Sequence, residues 1–72
     1  MDEPTRAILA RNLRAARQAK GLTQAELGAL AGLSRSDVSE IERADPSVHP
    51  GSDRLCRLAS ALDLTMAALF AN

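Results

Sequence analysis

Apolar residues recur along the chain at three- and four-residue intervals, the spacing of one face of an α-helix. Ile8, Leu9, Leu13 and Ala16 lay such a stripe on a first segment, from Pro4 to about Lys20. Pro4 suits the first turn, Asp2 and Glu3 complement its positive end, and Gly21 suits the stop. Leu27, Leu30 and Ala31 mark a second helix, about 23 to 31, and Leu33, Val38 and Ile41 belong to a third, about 34 to 43. Two prolines and a glycine break the pattern over residues 44 to 51. Leu55, Leu58, Ala59 and Leu62 then define a fourth helix, about 52 to 62, and Leu64 and Thr65 open a last short one, Met66 to Ala71. Leu69 and Phe70 on that helix fold back on the core or form a dimer contact. The chain reads as an all-α, compact five-helix domain.

The second and third helices announce their starts. Thr23 with Glu26 three residues on forms a capping box: the hydroxyl takes a free amide of the first turn, and the carboxylate reaches back to the cap amide. Leu22 and Leu27 bracket it as a hydrophobic staple. Ser34 with Asp37 repeats the box, and Leu33 with Val38 repeats the staple. Between the two lies Gly32, where a helix ending in left-handed conformation needs a residue without Cβ. Gly28 falls inside the second helix, where it costs roughly 1 kcal/mol against Ala. Either it is a weak helix position or it permits close approach by a crossing helix, and the close approach is the reading taken here. Two short helices joined by a tight turn, residues 23–43, form the unit that places one helix in the DNA major groove.

Seventy-two residues make one domain, 1–72. Its apolar residues are aliphatic apart from Phe70, and β-branched residues are too few for a sheet. No apolar run approaches the ~20 residues of a membrane span, and the acidic Met1-Asp2-Glu3-Pro4 start lacks a signal-peptide pattern. A cytoplasmic location follows. The single cysteine, Cys56, reads as a small buried hydrophobe, and His49 as a solvated loop residue. With one Cys and one His, no metal site is expected. No cofactor-binding loop and no nucleophile–base constellation is present, so an enzyme is not expected.

The stretch Gln24-Ala25-Glu26-Leu27-Gly28, with Ala31-Gly32-Leu33-Ser34, Val38 and Ile41-Glu42, resembles the helix-turn-helix of the Cro/cI-type repressors, also called the XRE family. Gly21-Leu22-Thr23 before it, and Leu55, Leu58, Ala59, Ala61-Leu62 and Leu69-Phe70 after it, match as well, so the likeness runs from about residue 8 to 70. The resemblance implies a lambda-repressor-like fold in which helices one, four and five hold helix three outward. It also implies an internal ion pair between Arg17 and Glu42, and base reading at Arg35, Ser36 and Glu40.

The residues themselves support part of this. Opposite the inward Leu33, Val38 and Ile41, helix three carries Arg35, Ser36, Ser39 and Glu40. Arg pairs bidentately with guanine, Glu accepts from cytosine N4, and Ser is permissive. Gln24 opens helix two beside free backbone amides, a location that suits a phosphate. Thr23, Arg43 and Arg14 are further phosphate candidates, which would orient the domain without reading sequence.

Charge complicates the picture. The net charge is zero, but residues 1–20 carry five basic and two acidic side chains while residues 21–50 carry two basic and five acidic. Glu26, Asp37 and Glu42 have internal duties, which leaves Glu40 and Asp45 as liabilities for a DNA-binding surface. The loop after helix three has no Lys or Arg. The expectation is a sequence-specific transcriptional regulator, a repressor that binds double-stranded DNA as a homodimer at a pseudo-palindromic operator, the monomer binding weakly. The alternative is an antitoxin or protein-interaction module of the same fold, with a toxin or other regulator as partner and weak or autoregulatory DNA binding.

Overall fold

The structure, a computed structural model, describes residues 1–72. Five helices follow one another: α1 (Glu3–Ala19), α2 (Gln24–Ala31), α3 (Arg35–Glu42), α4 (Ser52–Ala61) and α5 (Met66–Leu69). α2 packs on α3 and α4, α1 on α3 and α5, and α4 on α5. Their shared core comprises Leu9, Leu13, Leu27, Ala31, Val38, Ile41, Leu55, Leu58, Ala59, Leu62 and Leu69, all buried. No helix is long and apolar enough to cross a membrane.

Each helix start has a local cause. Asp2 caps α1 by accepting from the Thr5 amide at 2.9 Å, a closer role than complementing the helix dipole. Both capping boxes are complete: Thr23 Oγ1 accepts from the Glu26 amide at 3.0 Å while Glu26 Oε1 accepts from the Thr23 amide at 2.8 Å. Ser34 Oγ accepts from the Asp37 amide at 3.0 Å, and Asp37 Oδ2 accepts from the Ser34 amide at 3.1 Å. Thr65 caps α5, which ends at Leu69, two residues earlier than its pattern predicts. Beyond that end Asn12 on α1 donates from Nδ2 to the Leu69 and Ala71 carbonyls at 3.0 and 2.7 Å, satisfying main-chain acceptors that have no intrahelical partner.

Gly32 takes the left-handed conformation, φ 71°, at the end of α2. Arg57 of α4 lies so close over it that a Cβ there would sit 3.1 Å from Nη1. The guanidinium thus supplies a positive charge to the negative end of a helix with no basic residue in its last turn. α3 ends without a glycine: Ala44 follows its cap at φ 55°.

Several positions differ from the sequence reading, among them Leu30 of the α2 apolar pattern, which is 63% exposed. Cys56 is exposed, not buried, because Leu55, Leu58, Ala59 and Leu62 already fill the buried stripe of α4 and Cys56 falls outside it. On α1 the buried positions are Leu9, Ala10 and Leu13, with Ile8 only half-buried. At Gly28 the close neighbour is not a crossing helix but the turn itself, since an added Cβ would lie 2.7 Å from the Leu33 carbonyl oxygen and 3.2 Å from that of Ser34. The space that sets the α2–α3 angle is therefore backbone against backbone.

Gly28→Ala is accordingly expected to destabilise the domain by about 1–3 kcal/mol, against the roughly 1 kcal/mol gain that helix propensity alone would give. Urea unfolding decides the sign, and a stabilised variant would refute the close approach.

Candidate nucleic-acid interface

The site is organised by a carboxylate that never reaches solvent. The Glu42 side chain, at the end of α3, is 1% exposed. Arg17 of α1 meets it with two parallel bonds, Nε to Oε2 at 2.7 Å and Nη2 to Oε1 at 3.0 Å. Arg17 Nη1 also donates to the Leu22 carbonyl at 2.8 Å. Gln24 Nε2, from the first turn of α2, donates to Glu42 Oε1 at 3.2 Å. Arg14 Nη2 donates to the Glu42 main-chain carbonyl at 2.7 Å. Three helices thus converge on one residue, and the Glu42 bond raises the Arg17 pKa further above its usual value.

With its inner end held this way, α3 turns its other face out. Val38 and Ile41 are buried, while Arg35 and Ser36 stand exposed in the first turn. Ser39 and Glu40 are half-buried. Ser39 Oγ accepts from Arg43 Nη1 at 3.1 Å. Glu40 lies at the flank facing the following loop, where it lines a small cavity with Arg6, Asp45 and Val48. The four outward residues are therefore not equivalent: two are exposed, one is tied to Arg43, and one lines the cavity beside the loop.

The other candidates are partly committed within the fold. The Thr23 hydroxyl accepts from the Glu26 amide and keeps its own hydrogen to donate. The Gln24 side chain is turned to Glu42, but at the first turn of α2 backbone amides are left without intrahelical partners. Arg14 and Arg43 keep 51% and 59% of their side-chain surface exposed.

Acidic residues of this region are largely internal. Asp45, a liability in the sequence reading, accepts from the Ser47 amide at 2.9 Å and the Ser47 hydroxyl at 2.7 Å. These bonds shape the loop, with Val48 packed on the core, and they hold the Asp45 carboxyl below its usual range. Asp37 is held low by the Ser34 amide and then its hydroxyl, and Arg54 of α4 comes within 3.5 Å of it. None of the roles of Asn12, Arg54, Arg57 or Ser47 is legible in the sequence, because each partner lies on another element or depends on a loop conformation.

The chain matches the Helix-turn-helix family HTH_3 over residues 13–69. It is 45% identical over 56 residues to the HTH-type transcriptional regulator y4dL of Sinorhizobium fredii, covering 78% of this chain and 28% of that protein. The chain thus spans a little over a quarter of that relative. The restriction-modification controller protein C.AhdI of Aeromonas hydrophila superposes with a TM-score of 0.83 at 37% identity, over 90% of this chain and 96% of that one. The P22 c2 repressor, solved in complex with a synthetic operator, superposes with a TM-score of 0.77 at 29% identity, over 86% and 91%.

Two outcomes are expected from these contacts. Glu42→Ala leaves Arg17 buried without its partner and costs about 3–5 kcal/mol, comparable to the whole stability of so small a domain. A loss under ~0.5 kcal/mol in urea titration would mean the pair contributes no more than an exposed one. Asp37, whose folded pKa is depressed, stabilises fully above the ordinary carboxylate value of 3.8 and loses that contribution as pH falls through the lowered pKa. Asp37→Asn should flatten the acid limb of a Tm-against-pH curve below about pH 4; an unchanged limb would refute the assignment.

The chain belongs to this helix-turn-helix family, whose matches here are transcriptional regulators rather than enzymes.

Proposed function

We propose that this chain is a sequence-specific DNA-binding transcriptional regulator, acting in the cytoplasm as a repressor, with α3 laid in the major groove. The observation that carries the proposal is the pairing of a buried three-helix clamp on Glu42 with an exposed polar opposite face on α3. A reading helix must be held rigidly by its inner side, since discrimination between bases depends on bidentate geometry worth roughly 1–3 kcal/mol per pair. Family membership and the likeness to an operator-bound repressor support the same reading.

In this proposal Arg35 and Ser36 lead the base contacts, with Ser39 and Glu40 at the flanks. Thr23, the start of α2 at Gln24, Arg14 and Arg43 meet phosphates. They set register and orientation, and the base edges supply specificity. A dimer would place two copies of α3 about one helical turn apart, roughly 34–36 Å, on a pseudo-palindromic site. A second reading, a protein-interaction module such as an antitoxin, is favoured by one observation, the zero net charge.

Selection from a random duplex library separates the two. Wild type is expected to enrich an inverted repeat, and an Arg35→Ala, Glu40→Ala double variant is expected to lose that preference while remaining folded. Failure of the folded wild type to enrich any sequence would overturn the regulator reading and turn the search toward a protein partner.

A further inference from the structure

An open groove of about 400 Å³ runs between the outer side of α1 and the end of α3. Arg11, Arg14 and Arg43 line its sides, with alanines such as Ala7, Ala10 and Ala15 along it. Small side chains let an elongated ligand approach the helix closely, while three guanidiniums surround it with positive charge. The one carboxylate at the groove, Glu42, is buried and already bonded to Arg17 and Gln24, so it offers little repulsion.

Two further observations say what this groove faces. Arg43 lies two helical turns beyond Ser36 on the same stripe of α3, and its bond to Ser39 carries the outward face of α3 directly into the groove. Six of the chain's nine cationic side chains have a carboxylate within 4 Å; Arg6, Arg11 and Arg35 do not, and of these three Arg6 is half-buried while Arg11 and Arg35 are exposed. These two exposed cations stand one in the groove and one at the start of α3. An exposed guanidinium with no acidic neighbour keeps its full attraction for an anion.

We propose that this groove seats the sugar–phosphate backbone of the duplex that α3 reads, and that Arg11 is a phosphate contact there. The inference rests on the regulator reading and extends it. That reading already places Arg14 and Arg43 on phosphates, and the third of the chain that holds α3 is net acidic. Arg11 adds a further cation from α1 beside those two, and alanine spacing makes room for the strand.

The test is fluorescence anisotropy of the selected duplex and a scrambled duplex at several salt concentrations, with wild type, Arg11→Ala, Arg11→Lys and Ala15→Glu. Each phosphate contact adds about 0.9 to the slope of log K against log salt. Arg11→Ala is expected to flatten that slope by about 0.9 and to weaken both duplexes by the same factor. Arg11→Lys is expected to restore the slope, and Ala15→Glu to weaken both duplexes. Since Arg11 has no carboxylate partner to lose, Tm should stay the same. If wild type binds duplex and Arg11→Ala leaves the slope unchanged, the groove assignment fails while the regulator reading stands. If wild type binds neither duplex, both fail.

Discussion

The arrangement depends on a single buried carboxylate. Glu42 sits where α1, α2 and the end of α3 meet, and its oxygens are taken by Arg17 and Gln24 while its carbonyl is taken by Arg14. Burying such a charge is costly unless it is fully paired. The helices are therefore constrained to the one orientation that completes the pairing. An apolar contact could hold the helices together as firmly, but it is non-directional and would tolerate sliding. The bidentate Arg–carboxylate geometry fixes angle as well as distance. That angle is what presents Arg35 and Ser36 outward.

The backbone contact at Gly28 acts with this clamp. The Leu33 carbonyl comes nearer to α2 than any side chain would allow, so the turn is short and α3 begins close against α2. Gly32 in the left-handed conformation reverses the chain, and Arg57 closes over it from α4. One end of α3 is positioned by backbone packing and the other by an ion pair.

The charge distribution looks different in three dimensions from its order along the chain. In sequence, residues 21–50 are net acidic. In the fold, Glu26 and Asp37 occupy capping boxes, Glu42 is buried, and Asp45 is bonded within its loop. Arg54 comes from α4 to Asp37, and α1 brings Arg11 and Arg14 beside Arg43. The outward side of α3 is consequently more basic than its own segment, because its cations arrive from elements distant in sequence.

Helix number, helix starts and the turn were legible in the chain because their causes are local. Capping boxes act over three residues, a left-handed glycine acts at one position, and apolar spacing follows from the helical repeat. Those signals placed α1 to α4 within about two residues and identified the outward positions of α3. The burial of Arg17 and Glu42 became an expectation only through a family resemblance, since the two residues are far apart in sequence. Tertiary structure alone decided that Asn12 meets the carbonyls beyond α5, that Arg54 reaches Asp37, and that Arg57 lies over Gly32. The physical reason is common to all three: each depends on which other element comes within bonding distance, and short-range spacing along one helix carries no record of that.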